Sequence, residues 1–378
     1  MKVPFNRPTV APNQLEYVSQ SFASGHLSGD GPFTARASKM LSELHNGSKV
    51  LLTTSCTSAL ELSAILLDIQ DGDEVIVPSF TFVSSANAFV IMGARIVFAE
   101  VESETLSVSV RTVENLITSR TRAIVAVNYG GHPSVTDELV TLAKQHNIMI
   151  IEDNAHGLFA NDEGVPLGTK AALSTLSFHE TKNITCGEGG ALVINDPSLV
   201  ERAEIIREKG TNRSLFFRGM IDKYTWVDKG SSYLMSDINA ALLTAQLEHA
   251  AIIQRNRHET FRLFMEGLAD WSSRSGATLP YHLASEDLSA HLFPILMPNL
   301  DSRSDLIDFA KGRGIGLTFH YVPLHLSPGG LRYGRTNEDD FSVTKKISDT
   351  LVRLPLYAGL TAHDIEEIIE TVAHFDVQ

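Results

Sequence analysis

The chain has 378 residues, more than one ordinary hydrophobic core holds and enough for two domains. Apolar residues make up 43% and charged residues 20%, a globular balance that excludes an intrinsically disordered chain. The formal net charge of −14 argues against a nucleic-acid-binding protein, while leaving local anion sites open.

In chain order, short apolar runs at residues 50–53, 74–77, 95–99, 123–127, 149–152, 174–178 and 191–194 predict strands. Helical patterns at 58–67, 83–92, 113–117 and 137–146 lie between them. Seven strands alternating with helices predict an α/β fold with a mostly parallel seven-stranded sheet covered on both faces. Periodicity leaves the direction of the closing strand open. Ser55 or Thr57 is suited to cap the helix at 58, Gly72 to end the stretch 60–69, and Pro78 to close the strand 74–77.

After about residue 236 the character changes. Residues 238–268 read as a long helical region broken once, 270–279 as a loop, and 291–297 and 316–321 as alternating segments. Residues 301–312 and 362–375 read as amphipathic helices. This predicts a large domain over 1–250 and a smaller C-terminal α+β domain over 251–378. No apolar run reaches membrane-spanning length, and residues 1–9 lack an apolar signal core. Cys56 and Cys186 are too few for a disulfide framework or a zinc cluster, so no metal is expected, and a reducing cytoplasm is.

Four segments hold residues suited to chemistry. The first is Ser177-Phe178-His179-Glu180-Thr181-Lys182-Asn183, between a strand and the glycines of Gly187-Glu188-Gly189-Gly190. A lone loop lysine is usually a solvated charge. A Schiff-base lysine instead needs desolvation or nearby cations to lower its pKa. A pyridine cofactor needs a carboxylate at its ring nitrogen, and Asp153, ending the apolar strand at 148–151, points into the crevice of an open sheet or else caps a turn. Thr54-Ser55-Cys56-Thr57-Ser58 presents N–H groups and hydroxyls at a helix start, either for phosphate or as an ordinary cap. In Pro78-Ser79-Phe80-Thr81-Phe82 an aromatic ring either joins the core or stacks on a flat ligand. A basic stretch, with Arg202, Arg207, Lys209, Arg213, Arg218 and Lys223, forms either a solvated charged face or a phosphate pocket.

In this order and spacing, the four segments resemble the DegT/DnrJ/EryC1/StrS aminotransferase family, and the likeness runs essentially end to end. Segments 29–31, 66–70, 203–214, 216–219, 222–226 and 231–237 strengthen it. The resemblance implies a fold-type-I, pyridoxal-phosphate-dependent enzyme working as a homodimer with shared sites. Lys182 would hold the cofactor as a Schiff base and move the proton. Asp153 would pair with the ring nitrogen. Ser177, Cys56 and Thr57 would bind the phosphate, and Phe82 would stack on the ring. The reaction implied is amino transfer from L-glutamate to C4 of a nucleotide-linked 4-keto-6-deoxy sugar, dTDP-4-keto-6-deoxyglucose, in surface polysaccharide synthesis. Arg213, Arg218 and Lys223 would meet the diphosphate, and His320 would line the pocket, with His179 and Glu180 as further pocket candidates.

Two positions depart from the family pattern. His156 stands where Gln commonly contacts the cofactor 3-oxygen, a bond an imidazole can also donate. Ser232 stands where Asn commonly reaches the partner subunit's phosphate. Rival readings are a transaminase acting at C3 or on another nucleotide sugar, a dehydratase of the same fold, and a non-catalytic regulator. Dehydratases of this group usually lack the lysine, so Lys182 counts against that reading; the intact Asp153, Ser177 and Lys182 set counts against a regulator.

Overall fold

The computed structural model describes residues 1–336 and 341–377. The strands are β1 (Lys49–Thr53), β2 (Glu74–Pro78), β3 (Arg95–Ala99), β4 (Thr121–Val127), β5 (Met149–Asp153), β6 (Asn161–Asp162), β7 (Val165–Pro166), β8 (Leu173–Ser177), β9 (Gly190–Ile194), β10 (Phe293–Leu296), β11 (Thr318–Phe319), β12 (Gly334–Arg335) and β13 (Leu351–Leu354). The main sheet runs β1-β9-β8-β5-β4-β2-β3-β12. It has eight strands rather than the seven expected. The eighth, β12, is a two-residue edge strand parallel to β3, too short to leave a periodic pattern.

Only β9 runs against its neighbours, β1 and β8. A parallel return requires a long crossover, usually a helix. Residues 178–189 contain no helix, so the chain turns straight back. This reversal matters to the site, because it puts the Lys182 loop at the carboxyl ends of the parallel strands. Both faces of the sheet are covered, and β2 is buried at all five positions, which is why it reads as a continuous apolar run.

Several boundaries move. The helix expected at 58–67 is Cys56–Leu66, because Ser55 is its cap and accepts from the Ser58 N–H at 3.0 Å. Gly72 does not end that helix, whose C-cap is Leu67; with φ of 88° it forms the turn before β2. The helix expected at 83–92 spans only Ser84–Val90, and that at 113–117 is a turn at Val110–Val113 followed by the 3-10 turn Glu114–Leu116. The long helical region breaks at His249 into Asp237–Glu248 and Ala250–Ser275. The second piece runs through the expected loop at 270–279 and stops at Gly276, φ 71°.

The second sheet, β10-β13-β11, is antiparallel. It packs on the helix Ala250–Ser275 through Phe261 and Phe264, whose rings meet Phe293 edge-on at 4.8 and 5.3 Å. The helices Leu300–Gly312 and Ala362–Ala373 complete this layer. Several links cross the junction at His249. Val3 bridges to Ile315, and β12 returns to the main sheet. Among the described residues no helix is long and apolar enough to cross a membrane.

Candidate active site

Strand ends place the site. Asp153 ends β5 and lies in register with Thr175 of β8; Ser177 ends β8 and faces Gly190 of β9; Gly190 also faces Thr53 of β1. These carboxyl ends, the N-terminus of the helix Cys56–Leu66 and the edge of the second sheet enclose a cavity of about 630 Å³. Lys182, Asp153, His156, Ser177, Cys56 and Phe82 all line it, together with Thr57, His179 and His320. The sequence thus foresaw much of this wall.

Asp153 is buried, with its carboxylate accepting from the Ser85 hydroxyl at 2.7 Å and the Ala155 N–H at 3.3 Å. Burial pushes its pKa up; the Ser85 bond, the nearby Lys182 charge and the Ala155 N–H pull it back. A buried carboxylate without a full cationic partner is suited to a cationic ring nitrogen. Lys182 has the complementary bias. Burial pulls its amine down to about 8, Arg353 adds to that, and Cys56 and Asp153 oppose it. An amine so lowered is available as a nucleophile and a base near neutral pH.

The phosphate end is built from backbone. Ser55 is extended before the helix Cys56–Leu66, and Ser55, Cys56 and Thr57 at this helix start line the cavity. Gly190 packs against this turn so tightly that a Cβ there would lie 2.3 Å from the Cys56 nitrogen. Thr57 and Ser84 share a hydroxyl bond of 2.8 Å, and the Ser177 hydroxyl accepts from the His179 N–H at 3.5 Å. Cys56 lies 3.5 Å from the Thr175 hydroxyl, and burial pushes its thiol up to about 12, so it serves as a neutral wall rather than a thiolate. The residues present fit a pyridine ring with a phosphate at one end and an amine-reactive carbon at the other.

An aromatic layer closes the cavity from the second sheet. His320 stacks on Tyr321 with centroids 3.9 Å apart, and the Tyr129 hydroxyl bonds to His320 Nδ1 at 3.1 Å. Phe82 is 58% exposed and 6.5 Å from the Tyr321 ring, which leaves a face free for stacking. His156 packs on His291 at 4.3 Å, and His291 Nδ1 bonds the Asn183 side chain at 2.8 Å. Burial holds His156, His291 and His320 far below the ordinary histidine value.

Other candidates fall outside this cavity. Arg213 pairs with Glu208 at 2.8 Å, Arg218 pairs with Glu204, and Lys223 is exposed. Ser232 is exposed and bridges by backbone to Glu208. Glu180 is exposed and accepts from Asn6 through its carbonyl. Arg202 and Arg207 are held by Asp68, Asp228 and Asp30, so much of the basic stretch is neutralised within the chain. Ser85, His291 and Arg353 were missed. Ser85 reads as an ordinary small helix residue, and Arg353 lies in a four-residue strand with no flanking turn motif.

Comparison with known proteins agrees with this geometry. The DegT/DnrJ/EryC1/StrS aminotransferase family model matches residues 8–373. The uncharacterized protein MJ1066 of Methanocaldococcus jannaschii is 31% identical over 373 residues, covering 97% of this chain and 95% of that one. The aminotransferase TlmJ of Streptoalloteichus hindustanus superposes with a TM-score of 0.89 at 28% identity, covering 98% of each chain. Helicobacter pylori PseC, an aminotransferase involved in the biosynthesis of pseudoaminic acid, superposes with a TM-score of 0.88 at 25% identity, again over 98% of each. The chain belongs to the DegT/DnrJ/EryC1/StrS aminotransferase family and is a fold-type-I, pyridoxal-phosphate-dependent enzyme.

Proposed function

We propose that the enzyme moves the amino group of L-glutamate to C4 of a nucleotide-linked 4-keto-6-deoxy sugar, dTDP-4-keto-6-deoxyglucose, giving dTDP-4-amino-4,6-dideoxygalactose. Lys182 and Asp153 in one buried cavity carry the amino-transfer part of the reading. The end-to-end resemblance supports the sugar, as does the involvement of PseC in the biosynthesis of pseudoaminic acid.

Bound pyridoxal phosphate supplies an electron sink for the carbon that carries the amine. The chain's own residues do the rest. Asp153 would hold a proton on the ring nitrogen, His156 would donate to the 3-oxygen, and Phe82 would cover one ring face. Ser177, Cys56 and Thr57, with the N–H groups of their turn, bind the phosphate. Lys182 Nζ takes the proton from the donor α-carbon in the first half-reaction and delivers one to the sugar C4 in the second. Glutamate leaves as 2-oxoglutarate, and the ketone becomes an amine. His320 borders the sugar.

A second copy of the chain supplies Ser232, Arg213, Arg218 and Lys223 to the site. Their exposed segment supports this, with Phe217, Met220 and Trp226 at 68, 66 and 79% exposure.

The test is direct. Wild type should show a cofactor absorbance band that Lys182→Ala shifts or abolishes. Supplied with dTDP-4-keto-6-deoxyglucose and L-glutamate, it should yield an amino sugar whose C4 couplings are galacto. Gluco couplings or amination at C3 would overturn the sugar assignment alone. A protein that never takes up the cofactor would overturn the whole reading.

A further inference from the structure

A second cavity, of about 440 Å³, opens at the amino ends of the parallel strands, the end opposite the catalytic cavity. Glu74 begins β2, Arg95 begins β3, and Arg120 directly precedes β4. The five residues of β2 set the two ends of the sheet about 16 Å apart. Arg332 and Tyr333 end the helix Pro328–Tyr333 and Arg335 lies on β12; these three, with Asp71, complete the wall.

Four arginines thus meet two carboxylates here, in a chain whose net charge is −14. Glu74 is buried and already engaged. The Thr118 hydroxyl donates to it at 2.7 Å, Arg120 at 2.8 Å, and Arg335 through two nitrogens at 3.1 Å each. Arg95 and Arg332 have no carboxylate partner among the described residues. Arg95 donates to the Arg332 carbonyl at 3.2 Å, and the Arg332 guanidinium lies 5.0 Å from the centroid of the Tyr333 ring.

Arginines spread over a convex surface are a solvated face, because water and salt screen their repulsion. These converge on a concavity, and internal bonds already orient three of them. Guanidinium forks match phosphate oxygens, and forks set in advance lose less freedom on binding. The volume lies in the range of small-molecule sites and holds more than one phosphate. We propose that this cavity is a second ligand site, separate from catalysis, for a small molecule that bears a diphosphate, with Arg95 and Arg332 as its anchors. Pyrophosphate and a nucleoside diphosphate share that chemistry. The Tyr333 ring, 41% exposed, offers a stacking face that only a nucleoside uses. The ligand joins β3, through Arg95, to the segment entering β12, through Arg332, so it ties the returning strand to the main sheet. The site stands whichever sugar the catalytic cavity takes.

The test uses the holoenzyme, whose cofactor fills the phosphate end of the catalytic cavity. Pyrophosphate is titrated by calorimetry at fixed ionic strength. Arg95→Gln and Arg332→Gln should each weaken binding by at least about tenfold, the scale of one charge-assisted hydrogen bond. Arg95→Lys should recover part of the loss. Arg262→Gln removes the same charge from an exposed helix position held by Glu259 and Glu266, and should change the affinity by less than about threefold. Pyrophosphate should also raise the melting temperature of wild type and not that of the Arg95→Gln, Arg332→Gln double variant. Retained cofactor absorbance shows that the variants fold.

Displacement of bound pyrophosphate by dTDP then identifies the source. A tenfold tighter dTDP, with the advantage erased in Tyr333→Ala, assigns the site to a nucleoside diphosphate; equal affinities assign it to pyrophosphate. A wild type that binds no pyrophosphate would overturn the proposal, because the arginines would then be satisfied within the chain. So would equal weakening in Arg262→Gln, which would reduce the effect to net charge. Unchanged affinity in both Arg95→Gln and Arg332→Gln would place the binding elsewhere and overturn it too.

Discussion

The backbone N–H of Gly130 donates to Nδ1 of His156 across 3.3 Å, which leaves Nε2 as the protonated nitrogen of a neutral ring. The imidazole can therefore act as a donor, the same part that an amide would play. His156→Gln should keep cofactor affinity within about threefold. His156→Leu should weaken it by about tenfold, the value of one hydrogen bond of ordinary strength. Titrating the apoenzyme with pyridoxal phosphate reads both, and equal affinity of wild type and His156→Leu would show that the ring makes no such bond.

Three desolvated histidines make the apoenzyme acid-sensitive. Burial is the largest cause lowering each of His156, His291 and His320, so the folded state resists protons that the unfolded chain takes up below pH 6.5. The unfolded state then binds more protons, and stability falls as pH drops. Each ring adds a slope of about 1.4 kcal/mol per pH unit in that range. Urea midpoints of the apoenzyme between pH 7.5 and 5 should show it, and His156→Gln should remove about one proton from the slope. A variant with the wild-type slope would locate the acid sensitivity elsewhere.

Ser85 tunes Asp153. Its hydroxyl is within 2.7 Å of the carboxylate and 2.9 Å of the Thr81 hydroxyl. Ser85→Ala removes a bond that favours the ionised acid, so the Asp153 pKa rises further and its hold on a protonated ring nitrogen weakens. Turnover should fall by about tenfold, with a stability loss of about 1–2 kcal/mol from the broken hydroxyl network. Cofactor spectra alongside kcat distinguish the two effects; a change in stability with unaltered kcat would reduce Ser85 to a structural role.

Gly190 admits no side chain. The atoms a Cβ would meet are backbone, the Cys56 nitrogen and Ser55 carbonyl carbon, both at 2.3 Å, so no rotamer relieves the clash. Gly190→Ala should cost about 1–3 kcal/mol by overpacking and open the phosphate turn. A thermal melt with and without cofactor is the measure: both the melting temperature and its cofactor-induced rise should fall.

Where the chemistry follows the chain, the sequence was informative. Asp153 and Ser177 end strands whose apolar runs are unmistakable, and Lys182 follows in the turn after one of them. Such positions depend on local pattern and strand order alone. Ser85 reaches Asp153 from a short helix, and His291 and Arg353 reach the cavity from the segment just before β10 and from a strand of four residues. Nothing local distinguishes them; their meaning comes from tertiary convergence across 268 positions of chain between Ser85 and Arg353. Arg213, Arg218, Lys223 and Ser232 show the opposite limit. Their composition was conspicuous, yet within one chain the arginines meet their own acids rather than the cavity.

The short strand β12 has a mechanical consequence. A chain joined only at His249 would let the second sheet swing outward like a door on one hinge. Here the Val3–Ile315 bridge and the Gly334–Arg335 pairing with β3 bolt the same door at two further points. Swinging it would break backbone pairing in the main sheet. Any movement of the second sheet away from the main one therefore has a cost in main-chain hydrogen bonds at the β3 edge as well as a bend at His249.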